Sequence, residues 1–151
     1  MSSPILIAEP NSILRIKSQE IVQITPEIKQ LILDMAKIMK ESKGVGLAAP
    51  QVGYNIRLCL IETEKGPLAL INPKITWKSL RQEIEEEGCL SCPGIWGLVR
   101  RSKIIYLKAL DKEGKPISFR AKSLFARVIQ HEVDHLDGIL IIDKFEKNKK
   151  R

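Results

Sequence analysis

The 151 residues include 25 Lys and Arg against 18 Asp and Glu, a formal charge of +7, with 44% hydrophobic and 28% charged residues. That balance describes a soluble globular protein with enough apolar material for one core, and excludes general disorder. No run approaches the roughly 18 apolar residues of a membrane span, the start lacks a signal or transit character, and three cysteines are too few for a disulfide framework.

In chain order, TPEIKQLILDMAKIMK (25–40) predicts a helix, capped by Thr25, with Pro26 in its first turn. Its apolar stripe is Ile28, Leu31, Ile32, Met35 and Ile38. The glycine-rich KGVGLAAPQVG (43–53) breaks that pattern. IRLCLIE (56–62) and LALIN (68–72) predict strands joined through EKGP, with Cys59 a small buried hydrophobe. The acidic EIEEEG (83–88) runs into CLSCPG, where Ser91, Pro93 and Gly94 argue against a long regular strand. KIIYLKAL (103–110) predicts a strand, DKEGKP a turn, and SLFARVIQHEVDHLD (123–137) a helix stopped by Gly138. ILII then predicts a short strand, and EKNKKR (146–151) a basic, frayed tail beyond a domain spanning 1–145. The fold class is α+β, a single compact domain with antiparallel or mixed sheets.

Both histidines of the chain, His131 and His135, fall in QHEVDHLDG. Four residues apart on a helix, they lie on one face and can converge on a metal ion, with Glu132 offset towards a bound water. A catalytic site needs a further ligand. Asp134, Asp137 and a distant carboxylate are candidates, as are the softer Cys89 and Cys92 of CLSC. With no second cysteine pair a four-cysteine structural site is excluded, and Pro93-Gly94 fits poorly with a redox pair opening a helix.

Three segments, GVGLAAPQVG (44–53), EGCLS (87–91) and QHEVDHLDG (130–138), resemble in order and separation the motifs of the peptide deformylase family. Weaker similarity extends to Leu14-Arg15 and the VRRSKIIYLKALDKEGKP region. The resemblance implies a sheet-rich domain around a central metal-binding helix. It selects Cys89 as the third ligand beside His131 and His135, holding one divalent ion: Fe2+ in the cell, with Zn2+, Ni2+ or Co2+ tolerated. Residue types alone admit several metals.

The resemblance implies hydrolysis of the N-formyl group of the initiator methionine. Glu132 takes the water's proton and returns it to the departing amine, while the Gln51 amide and the Leu90 N–H support the carbonyl oxygen. Val45, Gly46 and Gly88 would bind the nascent peptide as an added strand. Val45, Leu124, Val128 and Trp96 would surround its methionine. Cys92 stands where the family pattern leads one to expect Ile or Val, and reads as a small buried residue that can oxidise with Cys89.

Arg127 departs from the aliphatic residue the resemblance implies. It is expected to snorkel to the pocket rim or meet a substrate carboxylate, making the methionine pocket smaller or more polar. Glu87 and Arg101 match a buried ion pair, with Arg100 as the alternative partner. The rival readings are an HExxH metallopeptidase, disfavoured by the short chain after His135, and a basic RNA-binding module, disfavoured by only 5% aromatic residues. Partners are formyl-methionyl nascent chains and, through the lysine surplus, a transient ribosome contact; no membrane or sequence-specific nucleic acid is expected. The location is the cytoplasm or, in mature form, an organelle.

Overall fold

A computed structural model describes residues 4–147. Its elements are α1 (Pro26–Glu41), β1 (Gly46–Ala48), β2 (Leu58–Thr63), β3 (Gly66–Lys78), β4 (Gln82–Cys89), β5 (Cys92–Ser102), β6 (Ile104–Leu110), β7 (Pro116–Lys122), α2 (Ser123–Leu136) and α3 (Ile141–Lys144). Short 3-10 turns, Ser12–Arg15 and Ala49–Val52, fill two of the gaps. The strands form a five-stranded sheet in the order β1-β2-β3-β6-β7 and a separate β4-β5 hairpin, with every strand pairing antiparallel.

Strand β2 shows why the sheet sits between two helices. Its residues alternate between faces, and both faces are buried. Cys59 and Ile61 join Ala126, Ile129, Val133 and Leu136 of α2 in one core cluster. Leu58 and Leu60 join Leu31, Met35 and Met39 of α1 in another. The Thr25 hydroxyl accepts the Ile28 N–H at 3.3 Å, which caps α1 as its sequence predicts.

The structure departs from the sequence reading in several places. Residues 139–142 form no strand: Ile141–Lys144 is a helical turn whose Leu140 N–H is capped by Asp143 at 2.9 Å. An apolar run of four residues fits either state, and here its burial with Leu14 and Cys92 against the hairpin decides. Pro93 and Gly94 fall within the bounds of β5, but the strand is irregular there as the sequence leads one to expect: Pro93 to Trp96 stand opposite Gly88 alone, and Gly94 has φ 77°. The chain reverses just before them, at Leu90-Ser91. Strand β7 follows the DKEGKP turn, with Ile117, Phe119 and Ala121 directed to the core. Residues 148–151 of the basic tail lie outside the described residues.

Gly138 ends the segment after α2 with φ 75°, and a Cβ there would stand 2.5 Å from the Arg15 carbonyl oxygen. Gly138→Ala is therefore expected to cost roughly 1–3 kcal/mol, read as a fall in thermal midpoint of several degrees. An unchanged midpoint would mean that this contact relaxes freely.

Candidate active site

Helix α2 carries His131, Glu132 and His135, while β4 ends at Cys89 against it. A register irregularity between Glu87 and Cys89 re-aims the end of β4. The Ser91 N–H donates to Cys89 Sγ at 3.4 Å, and Gln51 Nε2 lies 3.7 Å from the same sulfur. Cys89 Sγ is 3.2 Å from His135 Nε2. One donor atom from each of Cys89, His131 and His135 lies within 4.8 Å of the others.

These donors fit a divalent metal. Tetrahedral coordination at ordinary metal–sulfur and metal–nitrogen lengths separates two donors by about 3.5 Å, close to the sulfur–imidazole distance here. His131 Nδ1 is 3.0 Å from Glu87 Oε1, which fixes the ring and leaves Nε2 facing inward. Glu132 Oε1 is buried beside this centre without a hydrogen-bond partner among the described residues. Asp134 and Asp137, the alternative ligands, are engaged elsewhere. Asp134 accepts a hydrogen bond from Arg101, and Asp137 pairs with Arg57 at 3.0 Å.

The electrostatics separate the two central carboxylates. Burial pushes Glu132 up to about 7, opposed by His131 and Arg101 and reinforced by Glu87 and Asp134. Burial also acts to raise Glu87, but hydrogen bonds from His131 and Arg101 and their charges outweigh it and hold it well below the carboxylate range. Burial disfavours a charged His131, yet Glu132, Cys89 and Glu87 raise its pKa. His135 moves the other way, through burial and then the charges of His131 and Arg101.

Arg101, not Arg100, grips Glu87, with two 3.0 Å hydrogen bonds from Nε and Nη2. Arg100 is part-exposed and pairs with Glu146 at 3.1 Å. Arg127 contradicts the snorkelling expectation. It is 6% exposed, and its guanidinium donates to Glu87 at 2.6 Å, to the Val99 carbonyl at 3.0 Å and to the Glu83 carbonyl at 2.8 Å. A buried guanidinium with a carboxylate and two carbonyls around it has no reason to seek the rim, and none of these groups belongs to a substrate.

A cavity of about 510 Å³ opens onto the centre. It brings together Val45, Gly46, Gln51, Glu87, Gly88, Cys89, Leu90, Trp96, Leu124, Arg127, Val128, His131 and Glu132; His135 and Arg101 lie behind its wall. Gly46 has a local reason to be glycine, since a Cβ there would stand 2.5 Å from Glu132 Oε2. Gly88 has another, as a Cβ would stand 2.6 Å from the Trp96 ring.

The polypeptide deformylase family model matches residues 4–151. The chain belongs to that family. A peptide deformylase of Dictyoglomus thermophilum is 48% identical over 132 residues, 87% of this chain and 86% of its own. One from Desulforudis audaxviator is 43% identical over 140 residues, covering 92% and 91% respectively. The crystal structure of the Thermotoga maritima peptide deformylase superposes with a TM-score of 0.93 at 36% identity, covering 97% of this chain and 99% of that one.

Two residues of this deformylase escaped the sequence reading. Ser91 is fully buried; its hydroxyl accepts from Gln51 Nε2 at 3.1 Å and donates to the Ile7 carbonyl at 2.7 Å, tying the turn to the N-terminal segment. Asp134, by sequence a candidate ligand, instead supports Arg101 from α2. Proximity to Cys89 was the available signal for Ser91. Nothing local in HEVDH distinguishes an arginine partner from a ligand.

Proposed function

We propose that this deformylase removes the formyl group from the N-terminal methionine of nascent polypeptides and releases formate. Cys89, His131 and His135 would hold one divalent ion. The observation that carries the reading is the convergence of a thiol and two imidazoles beside the buried Glu132 carboxylate, at an open cavity.

A divalent ion held by Cys89, His131 and His135 would supply Lewis acidity toward water and the formyl carbonyl. Glu132 holds and moves the proton. Burial raises its pKa above the ordinary carboxylate value, which suits a group that takes a proton from water and returns it to the departing amine nitrogen. Gln51 is 1% exposed, and its Oε1 is fixed by the Ala48 N–H at 2.9 Å, so Nε2 is held toward the centre. Gln51 Nε2 and the Leu90 N–H donate to the carbonyl oxygen as charge develops there. Strand β1 is an edge strand, which supports peptide binding as an added strand along Val45 and Gly46 with Gly88 opposite. Val45, Leu124, Val128 and Trp96 form the apolar surroundings of the methionine, and Arg127 contributes its stem while Glu87 holds its charge. Glu87 and Arg101 orient His131 from behind.

Ferrous iron is the proposed cellular metal, with zinc, nickel or cobalt able to occupy the same donors. Formylated nascent chains place the activity in a bacterial-type cytoplasm or a mature organelle; among the described residues no helix is long and apolar enough to cross a membrane. The test is formate release from an N-formyl-methionyl tripeptide by anaerobically prepared, iron-loaded protein, beside the N-acetyl and unblocked peptides. Iron-dependent formate from the first alone is expected. Internal peptide-bond cleavage, or no formate from fully loaded protein, overturns the reading.

A transient ribosome contact fits the charge of +7 and the Lys74, Lys78 and Lys144 side of a second cavity, of about 380 Å³, whose Arg57 and Arg100 are paired with Asp137 and Glu146. Co-sedimentation with ribosomes is expected at low salt and lost at high salt. Deletion of residues 146–151 should weaken it, and equal binding at both salts would remove the electrostatic basis.

A further inference from the structure

Cys89 and Cys92 are directly opposed partners across the β4-β5 turn, with only Leu90 and Ser91 between them. The first and fourth residues of such a turn lie within about 7 Å, which overlaps the Cα separation of roughly 4.4–6.8 Å that a disulfide spans. Opposed residues of an antiparallel pair direct their side chains to the same face, and Cys92 and Cys89 pack in the same apolar cluster. Cys89 lines the open cavity, while Cys92 is 1% exposed. Cys59 lies apart, fully buried in the sheet core among residues of α2.

We propose that Cys92 is a resolving cysteine: hydroperoxide oxidation of Cys89 ends in a Cys89–Cys92 disulfide that releases the metal reversibly. In the first step the Cys89 thiolate attacks one peroxide oxygen, the O–O bond breaks, and an alkoxide or hydroxide leaves, giving a sulfenic acid. In the second, the Cys92 sulfur attacks the Cys89 sulfur, the S–O bond breaks, and the departing hydroxide takes the Cys92 proton as water. The two thiol sulfurs lose two electrons in all, and the peroxide gains them. A dithiol reductant reverses the bond. Without Cys92, the sulfenic acid proceeds to sulfinic and sulfonic acids, which such a reductant does not restore. The metal release rests on the ligand assignment proposed above, whereas the disulfide does not.

Residues 82–100 fall between Arg81 and Arg100 and contain no Lys or Arg before the last, so trypsin frees Cys89 and Cys92 in one peptide without Cys59. The experiment treats zinc-loaded protein with hydrogen peroxide, then follows free thiols, the mass of this peptide and released zinc, before and after dithiothreitol. Zinc is chosen because it has no redox chemistry of its own. In the wild type, free thiols are expected to fall from three to one. The peptide should lose two hydrogen atoms, zinc should leave in step, and dithiothreitol with fresh zinc should restore the starting state. Cys92→Val, and Cys92→Ala should the first fold poorly, should instead add two or three oxygens at Cys89 with irreversible loss of zinc. Oxygen addition at Cys89 in the wild type to the same extent as in the variants overturns the proposal. A disulfide that forms with zinc fully retained overturns both the switch and the assignment of Cys89 as a ligand, whereas zinc loss without a disulfide overturns the switch alone.

Discussion

Formate release by Glu132→Gln is expected to fall about 10²–10⁴-fold, while the metal content stays at the wild-type level. The carboxylate is 3% exposed and stands beside the donors without being one of them: its Oε2 lies 3.9 Å from His131 Nε2. Gln preserves its volume and one acceptor oxygen but cannot take up a proton, so binding should survive and proton transfer should not. The same carboxylate gives the direction of the pH dependence. Burial raises the pKa of Glu132 to about 7 in the metal-free protein and a bound divalent cation would lower it, so formate release should decline on the acid side of neutrality, as the proton-accepting form is depleted. Steady-state kinetics with parallel metal analysis decides the matter. Loss of metal in the variant would make Glu132 a ligand, and full activity would remove it from the proton path.

Glu87→Gln is expected to produce the largest loss of stability among single substitutions near the site, roughly 3–5 kcal/mol. Glu87 is 7% exposed and accepts from Arg101 twice, from Arg127 at 2.6 Å and from His131 at 3.0 Å. Removing its charge strands a buried guanidinium at Arg127, whose remaining partners are two carbonyls. Arg101 keeps Asp134. The variant should also bind metal about 10–100-fold more weakly, because His131 loses a charged partner for Nδ1. Arg127→Met should cost less, since Glu87 then still faces Arg101 and no charge is left alone. Thermal unfolding of the metal-free proteins and zinc titration measure both effects. If Arg127→Met proves as costly as Glu87→Gln, the carboxylate is not the centre of this network.

The acid limb of stability follows with a definite sign. Glu87 has a depressed folded pKa, so its contribution is fully present above its unfolded value near 4.5 and is lost as pH falls through the folded value. Glu87→Gln should flatten that limb between pH 4.5 and the acid end. An unchanged acid profile would mean that the carboxylate gains nothing from its arginines.

Much of this molecule was legible in the order of its residues. The α1 stripe, the β6 alternation and the α2 helix follow from periodicity, because an element that buries one face must repeat its apolar residues at its own period, while β2 is a continuous apolar run because both its faces are buried. The spacing of His131 and His135 places two donors on one face of a helix wherever that helix lies. Three segments resembling one family carried Cys89, Gln51 and Glu132 with them. What the chain order left open is whatever depends on which charges share the interior. Arg127 looked like a residue bound for the rim until the β4-β5 hairpin brought Glu87, the Glu83 carbonyl and the Val99 carbonyl around it. Asp134 is one of several possible ligands by sequence, and its hydrogen bond from Arg101 of β5 gives it another part. The ILII run looked like a strand until the hairpin offered it a surface to pack against as a helical turn. Local pattern determines which atoms an element can present. Only tertiary packing decides which of them meet out of water, and there a buried charge must find its counter-charge or not be buried at all.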